Sequence, residues 1–216
     1  MDTDFARQQM VEQQVRAWDV LDPDVLQVLK DIPREQFVPT GYESLAFADT
    51  EIPIGHGQTM MTPTIEGRLL QALKPATGDS VLEVGTGTGF LTACLARLAG
   101  RVTSIDIYND FLATARANIE DCGLGDVTLL QMDATRELPE GPFDIIAVTG
   151  SIETFDPRFA EALAPGGRLF VVVGAGPAMD ARIVTRTGEN EWESDSLFET
   201  WLPPLVNGVR PPQFSF

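Results

Sequence analysis

The segment that decides the fold is Val81-Leu82-Glu83-Val84-Gly85-Thr86-Gly87-Thr88-Gly89, in which a short apolar run passes directly into three glycines. The glycines occupy every second position, and a helical pattern begins at Phe90. A buried strand that runs into a glycine turn and then a helix is typical of the first unit of a doubly wound sheet. Glycines at this point let the backbone approach a ligand closely. The segment therefore predicts a cofactor-binding loop at the carboxyl end of a strand.

Short apolar runs alternate with helical patterns downstream of this segment. The apolar runs predict strands at Ser80–Val84, Val102–Asp106, Val127–Gln131, Phe143–Val148 and Arg168–Val173. Helical patterns fill the gaps at Phe90–Leu98, Phe111–Ile119 and about Pro157–Leu163. Right-handed crossovers join strands of this kind into a parallel sheet covered by helices. We therefore predict an α/β fold with a doubly wound, mostly parallel, Rossmann-like sheet.

Two further regions flank the predicted sheet. Helical patterns cover Asp4 to Ile32, and another helix begins at Thr62-Pro63, where proline occupies the first helical position. After Arg182 we expect the strand-like run Ile183–Thr187 and a proline-rich, irregular tail. Domains average roughly 150 residues, so we predict a single domain at 1–216. It divides into an N-terminal extension of helices and an acceptor loop at 1–75, a cofactor-binding core at 76–175, and C-terminal strands and tail at 176–216.

Composition excludes several classes of partner. The chain of 216 residues has 32 acidic against 15 basic side chains and a formal net charge of −17. This charge repels phosphate backbones and anionic lipids, so we expect neither a nucleic-acid nor a membrane partner. Cys94 and Cys122 lack the spacing of a disulfide framework or a zinc site, and we expect no metal. Without a signal-peptide pattern or a membrane-length apolar run, we expect a soluble, cytoplasmic monomer or small homo-oligomer.

Two carboxylates near the glycines distinguish between cofactors. Asp106 ends the next strand, 21 residues after Gly85, where a carboxylate can accept both hydroxyls of an adenosine ribose. Glu83 lies two residues before the first glycine, and it would oppose a pyrophosphate, because like charges about 4 Å apart cost on the order of 4 kcal/mol. The same charge attracts the ammonium and sulfonium groups of S-adenosylmethionine. The glycine spacing also differs from the G-x-G-x-x-G of dinucleotide sites. We therefore predict S-adenosylmethionine in preference to NAD.

The third and fourth strands add polar residues at the same edge. Asp133 follows the third strand, where its carboxylate can accept a hydrogen bond from the adenine amino group. Val148-Thr149-Gly150-Ser151 follows the fourth strand and should face the transferred group. Carboxyl ends of parallel strands meet at one edge of a sheet, so we expect these residues to lie near the glycine loop.

With these residues in place, the chain resembles the protein-L-isoaspartate O-methyltransferases, which methylate the carboxylate of isoaspartyl residues in damaged proteins. The specific motifs are Met10-Val11-Glu12-Gln13-Gln14-Val15-Arg16, Pro33-Arg34-Glu35-Gln36-Phe37-Val38-Pro39 and Ile54-Gly55-His56-Gly57-Gln58-Thr59. The similarity extends from about Met10 to Val173. It implies a class I methyltransferase fold, an S-adenosylmethionine cofactor with S-adenosylhomocysteine as product, and isoaspartyl peptides or proteins as substrate. The implied cofactor-binding residues are Glu83, Gly85, Thr86, Gly87, Gly89, Asp106, Ile107, Asp133, Ala134 and Thr149.

The acceptor side departs from the family pattern. The family continues Gln-Thr with an apolar residue and then a serine beside the reacting methyl group, whereas this chain has Met61 at the serine position. A thioether cannot replace a hydroxyl donor. The resemblance places Thr59, Met61 and Thr62 at the catalytic position, and either Thr62 or Ser151 could supply the missing hydroxyl.

His56 is the single histidine of the chain. A histidine in a glycine-rich loop is more often structural than catalytic. A carboxylate acceptor is ionised at neutral pH, and methyl transfer from a sulfonium depends mainly on positioning, with reacting atoms roughly 3 to 3.5 Å apart. We therefore predict no general base.

Other methyltransferase classes and other types of cofactor-binding protein are alternatives to this function. An amide N-methyltransferase would carry Asn or Asp before Pro-Pro and an aromatic residue where this chain has Gly150-Ser151-Ile152-Glu153, and a cytosine C5 enzyme would carry a Pro-Cys nucleophile. Both are excluded. The alternatives that survive are a methyltransferase of similar fold with another small-molecule or protein acceptor, a catalytically silent S-adenosylmethionine-binding protein and, last, a nicotinamide enzyme.

Overall fold

The computed structural model describes residues 3–124 and 126–208. Its helices are α1 (Thr3–Met10), α2 (Pro23–Asp31), α3 (Pro63–Leu73), α4 (Phe90–Ala99), α5 (Asn109–Asp121) and α6 (Pro157–Glu161). Its strands are β1 (Ile52–Gly55), β2 (Gln58–Met60), β3 (Ser80–Val84), β4 (Arg101–Asp106), β5 (Val127–Gln131), β6 (Phe143–Ile152), β7 (Leu163–Val173), β8 (Met179–Arg186) and β9 (Trp192–Thr200).

Seven strands form one sheet in the order β5-β4-β3-β6-β7-β8-β9. The first five in this order are mutually parallel, and β8 and β9 add an antiparallel edge. Within this sheet the chain enters at β3, continues outward through β4 to β5, and then places β6 on the other side of β3. This reversal makes the sheet doubly wound, and it places the ligand crevice at the carboxyl ends of the central strands. The predicted fold class is confirmed.

The central strands are buried on both faces. Ile145, Ile146, Ala147 and Val148 of β6 are each 0% exposed. Near-continuous apolar strands of this kind are typical of parallel sheets covered by helices. The side chains of alternate residues belong to two separate apolar clusters, one on each face of the sheet. This rigid centre fixes where the strand ends, and therefore the site residues, can lie.

Two helix starts in the N-terminal region follow the expected capping chemistry. Asp22 accepts hydrogen bonds from the backbone N–H groups of the first turn of α2, and Thr62 does the same for α3. In both helices proline occupies the first helical position, where its missing N–H costs nothing. Between these helices, β1 and β2 form an antiparallel hairpin that the sequence patterns did not predict.

The first helical region is interrupted. A π-helical turn at Val11–Val15 follows α1, and a short 3₁₀ turn ends the region at Trp18. Val11 and Val15 are buried as expected, but Trp18 is 56% exposed. A wider turn rotates later side chains away from the face shared at α-helical spacing. The spacing of Val11, Val15 and Trp18 in the sequence predicts a common helical face, and this prediction is wrong at Trp18.

The boundaries around α6 also differ from the prediction. Strand β6 continues to Ile152, beyond the predicted end at Val148, and α6 stops at Glu161 because β7 begins at Leu163. Between Ala147 and Ser151, β6 contains three residues where β7 contains one. Such a bulge re-aims side chains near a site. It turns Thr149 and Gly150 toward the crevice.

No helix of the described ranges is both long and apolar enough to cross a membrane. The predicted division at residues 75 and 175 stays a prediction. So do the cytoplasmic location, the absence of a nucleic-acid partner and the oligomeric state.

Candidate active site at the carboxyl edge of the sheet

A cleft opens at the carboxyl ends of β3, β4 and β6. It encloses about 730 Å³, counted with the open solvent at its mouth. Most predicted site residues line it. These are Thr59, Met61, Gly85, Gly87, Asp106, Ile107, Asp133, Ala134 and Thr149.

Strand register explains why residues so distant in sequence meet here. Val84 pairs with Ile105 on one side and with Val148 on the other. The residues that follow these three positions therefore leave the sheet side by side at one edge. Gly85, Asp106 and Thr149 are those residues.

The glycine loop has the backbone conformation that its composition predicts. Gly85 and Gly87 have φ angles of +97° and +53°, which residues with a Cβ rarely adopt. A Cβ built on Gly87 would lie 3.2 Å from Ile54 Cδ1, and one built on Gly85 would overlap Thr149 Oγ1. The loop thus forms a shallow backbone cradle at the cleft, closely bounded by neighbouring side chains.

Asp106 is fixed at the centre of the cleft. Its Oδ2 accepts the Gly87 N–H at 3.0 Å, and its Oδ1 accepts the Tyr108 N–H at 3.0 Å. Burial raises the pKa of Asp106, and the backbone N–H bonds oppose that effect. Each oxygen keeps a lone pair for a further donor. The carboxylate is therefore arranged to accept two hydroxyl groups of a ligand.

Asp133 is held by its own loop and by the C-terminal segment. Its Oδ1 accepts the Thr135 hydroxyl at 2.6 Å, and its Oδ2 accepts the Asn207 amide at 3.0 Å. Burial raises the pKa of Asp133, but the bonds from Thr135 and Asn207 lower it below the usual value. Asp133 therefore adds negative charge to the cleft.

Glu83 and Thr86 lie behind the glycine loop, outside the main cleft. Both line a smaller cavity that shares Gly85, Met61 and Thr149 with the cleft. The Glu83 side chain is fully buried, and its Oε2 accepts the hydroxyls of Ser104 and Thr92. Its Oε1 has no hydrogen-bond partner among the described residues. Burial raises the pKa of Glu83 to about 8, so this group is largely uncharged at neutral pH and does not supply the negative charge expected of it from the sequence. Direct contact of Glu83 or Thr86 with the cofactor stays a prediction.

Three predicted or candidate residues take part in packing and capping instead. Gly89 begins α4, and a Cβ there would lie 2.9 Å from Ala115 Cβ, so this glycine allows α4 to pack closely on α5. Thr62 accepts the Ile65 N–H at 3.4 Å as the cap of α3. The Ser151 hydroxyl donates to the Leu202 carbonyl at 2.8 Å. None of the three lines the cleft, so contacts of Gly89 and Thr62 with ligand stay predictions.

The acceptor side is built by the hairpin and by the loop before α3. Ile54, Gln58, Thr59 and Met61 extend from these segments to the cleft wall. Arg34 fixes the loop by donating from Nη2 to the Met61 carbonyl at 2.7 Å. The hairpin and the loop before α3 therefore lie beside the glycine loop, along the same cleft.

Several cleft residues were not predicted from the sequence. Tyr108 and Phe111 follow Asp106 closely, and two aromatic residues just beyond a strand-end carboxylate could have indicated them. Pro203, Leu205 and Val206 come from the C-terminal segment, for which no local pattern gave a signal. The Leu205 N–H donates to the Ser151 carbonyl at 2.9 Å, which holds this segment along the end of β6.

The charge of the cleft favours a cationic ligand. Asp106 and Asp133 line it, and no lysine or arginine stands among its described lining residues. Asp133 is paired with Arg136 at 3.2 Å, whereas Asp106 has no ion-pair partner among the described residues. A pyrophosphate would meet this uncompensated carboxylate, whereas a sulfonium would be attracted. The glycine cradle, the hydroxyl-accepting Asp106 and this charge together fit S-adenosylmethionine.

The doubly wound sheet and the chemistry of its cleft indicate a class I, S-adenosylmethionine-dependent methyltransferase. The chain belongs to the protein-L-isoaspartate(D-aspartate) O-methyltransferase family, whose model matches residues 6–210. The family predicted from the three motifs and the glycine loop is confirmed.

Individual proteins support this membership. The chain is 39% identical over 196 residues to the protein-L-isoaspartate O-methyltransferase of Paracoccus denitrificans, covering 90% of this chain and 91% of that protein. It is 37% identical over 208 residues to protein-L-isoaspartate O-methyltransferase 1 of Rhodopseudomonas palustris, covering 94% and 85%. Its fold is similar to that of a Plasmodium falciparum chain described as a protein-L-isoaspartate O-methyltransferase in complex with S-adenosyl-L-homocysteine. That match has a TM-score of 0.80 at 20% identity and covers 92% of this chain and 97% of the other.

Asp106→Ala is expected to weaken S-adenosylhomocysteine binding at least about tenfold, because each hydrogen bond to a charged group contributes about 1.5 to 3 kcal/mol. Isothermal titration calorimetry measures the effect. Asp121→Ala, at the exposed end of α5, is the control and should bind like the wild type. Equal affinity in Asp106→Ala and wild type would show that Asp106 does not accept the ribose hydroxyls.

Glu83 should make the folding stability depend on pH. Burial raises its pKa from 4.5 to about 8, against the lowering effect of the Ser104 and Thr92 bonds. Between these values the folded state binds a proton that the unfolded state has lost, so stability falls as pH rises. From pH 6 to 7.5 the Glu83 contribution should fall by about 2 kcal/mol.

Glu83→Gln should remove this part of the pH dependence, since an amide does not titrate in this range. Urea unfolding at a series of pH values compares it with wild type. Glu161→Gln removes an exposed carboxyl group and serves as the matched control. An unchanged slope in Glu83→Gln would contradict the assignment of the proton to Glu83.

Proposed function

We propose that this chain transfers the methyl group of S-adenosylmethionine to the free carboxylate of L-isoaspartyl residues in damaged proteins. The proposal rests on a cleft in which donor-side and acceptor-side residues meet. Asp106 and the glycine loop form one wall of it, and Thr59 and Met61 form the other. Family membership supports the choice of acceptor.

The donor side would be held by groups at the strand ends. Asp106 would accept the ribose hydroxyls, and Asp133 would accept the adenine amino group. Ile107, Ala134 and Met132 offer apolar surface beside these carboxylates. When bound, S-adenosylmethionine supplies an electrophilic methyl group on a sulfonium. The carboxylates of the cleft favour that positive charge by their own negative charge.

The acceptor side needs hydrogen-bond donors but no base. An isoaspartyl carboxylate is already ionised at neutral pH, so no proton has to be removed. The chain's task is to hold the carboxylate oxygen in line and to exclude water. Gln58 and Thr59 line the cleft wall. The Gln58 amide donates to the His56 carbonyl at 3.5 Å and keeps a second N–H, whereas the Thr59 hydroxyl donates to Glu51 Oε2 at 3.4 Å. We assign the orientation of the acceptor carboxylate to the Gln58 amide, and to the Thr59 hydroxyl once it turns from Glu51, because Met61 offers no donor.

Met61 also favours one second candidate, a methyltransferase of similar fold with a different acceptor. The Met61 side chain lines the cleft where a family member carries a hydroxyl. A thioether gives this position an apolar surface. An acceptor with apolar surface next to its nucleophile would fit such a wall better than a carboxylate alone.

The test uses labelled S-adenosylmethionine with an isoaspartyl peptide and its normal aspartyl twin. We expect methyl transfer to the isoaspartyl peptide only. The product is a methyl ester, and mild alkali hydrolyses it and releases methanol.

Met61→Ser should raise kcat/KM for the isoaspartyl peptide at least about fivefold, since one well-placed hydrogen-bond donor contributes about 1 to 3 kcal/mol. Donor binding without methylation of either peptide by either protein would refute the isoaspartyl assignment and favour another acceptor or a silent binding protein.

A further inference from the structure

His56 occupies the tip of the β1–β2 hairpin between two glycines. Its φ angle is +51°, and Gly55 and Gly57 are also in the left-handed region at +108° and +71°. A non-glycine residue in this region is uncommon and is strained unless contacts compensate. The surroundings of the imidazole should therefore show what holds the residue in place.

The imidazole is held on three sides by the first turn of α5 and the residue before it. Its Nε2 lies 2.8 Å from Asp110 Oδ2. Its ring stacks on Tyr108 with centroids 3.9 Å apart and planes within 8°, and it meets Phe111 edge-on at 5.3 Å. Tyr108 and Phe111 are themselves in edge-to-face contact at 5.3 Å. The hairpin tip is thus attached to a single, well-defined cluster.

This cluster forms part of the cleft wall to which Asp106 and the glycine loop also belong, which we call the donor wall. The opposite wall, with Thr59 and Met61, is the acceptor wall. The side chains of Tyr108 and Phe111 line the cleft, and the Tyr108 N–H donates to Asp106 Oδ1. His56 itself does not line the cleft. Its exposed ring contacts two residues of that wall, Tyr108 and Phe111. On the other side, the hairpin that carries His56 also carries Ile54, Gln58 and Thr59 of the acceptor wall.

We propose that His56 is a positioning residue that fastens the acceptor hairpin to the donor wall, so that donor binding organises the acceptor side. The inference rests on the proposed donor site. Nε2 donates to Asp110 in both the imidazolium and the neutral Nε2–H form, so the link does not require a charged ring. The His56 hydrogen bond also lowers the pKa of Asp110, which keeps this carboxylate ionised. His56 acts through Tyr108 and Phe111 and does not abstract a proton from the substrate.

The variant that tests the link is His56→Asn, because asparagine tolerates a left-handed φ but lacks the ring that stacks on Tyr108. We expect the Kd for S-adenosylhomocysteine and the KM for the isoaspartyl peptide to rise about three- to tenfold, with a smaller change in kcat. The matched control is Lys74→Asn, an exposed residue at the end of α3 with a φ of +47°. It makes the same kind of substitution far from the cleft and should behave as wild type.

A spectroscopic test separates this link from general stability. Because the chain has one histidine, its imidazole proton resonances need no assignment by mutation. Saturation with S-adenosylhomocysteine should shift them, since Tyr108 both stacks on the ring and lines the cleft, and Tyr108→Leu should abolish the shift. Unaltered Kd and KM in His56→Asn, or resonances that ignore the ligand, would overturn the proposal. A wild type that fails to bind S-adenosylhomocysteine would overturn the proposed function as well.

Discussion

Replacing Arg34 by alanine is expected to lower the free energy of unfolding by about 3 to 5 kcal/mol, the usual cost of removing one partner of a buried ion pair. Arg34 is 0% exposed and pairs with Glu66, which is 2% exposed. It also donates to the Met61 carbonyl, and its guanidinium lies 4.7 Å from the centre of the Phe90 ring. The substitution leaves a buried carboxylate and a buried carbonyl without their donor.

The double variant Arg34→Met with Glu66→Leu distinguishes charge from packing. Replacing a whole buried ion pair by apolar residues of similar volume is often neutral or stabilising, so most of the lost stability should return. Catalytic efficiency should not return with it, because the Met61 carbonyl still lacks the Arg34 donor. Urea unfolding and kcat/KM on the same samples measure the two effects. A double variant as unstable as Arg34→Ala would contradict the ion-pair explanation.

Gly85→Ala is expected to weaken S-adenosylhomocysteine binding about 100-fold or more. A Cβ at this position would overlap Thr149 Oγ1. That hydroxyl cannot turn away freely, because it bonds to the carbonyls of Val84 and Gly85 at 2.9 and 3.0 Å. The loop must therefore move at the point where it lines the cleft. A 100-fold weaker affinity corresponds to a loss of about 2.7 kcal/mol of binding free energy.

Two controls separate the overlap from backbone strain. Gly78 has a φ of +100°, close to the +97° of Gly85, but a Cβ there would have no neighbour within 4 Å. Gly78→Ala should therefore lower stability through strain and leave ligand affinity unchanged. Thr149→Ala removes the overlapping oxygen, so Gly85→Ala should cost less in that background. Isothermal titration calorimetry on the four variants tests this, and equal losses in both backgrounds would exclude the overlap as the cause.

The strands of the parallel sheet were predictable because each is buried on both faces. A central strand such as β6 then appears in the sequence as an uninterrupted apolar run, and the helices between strands carry their own periodicity. The β1–β2 hairpin was missed because its strands are short and only partly buried. Its signal was local and weak, namely two glycines around His56 with alternating residues on either side.

The candidate site residues that leave the sheet at strand ends were predictable from local sequence patterns. Gly85, Asp106 and Thr149 each follow a recognisable strand, and parallel register brings such ends to one edge. The side chains that reach across that edge were not predictable in this way, because they depend on how separate segments pack. Arg34 meets Met61, His56 meets Asp110 and Asn207 meets Asp133 between segments that no local pattern connects. The physical reason is that periodicity records the burial of a residue within its own element, whereas these contacts arise from the packing of separate elements.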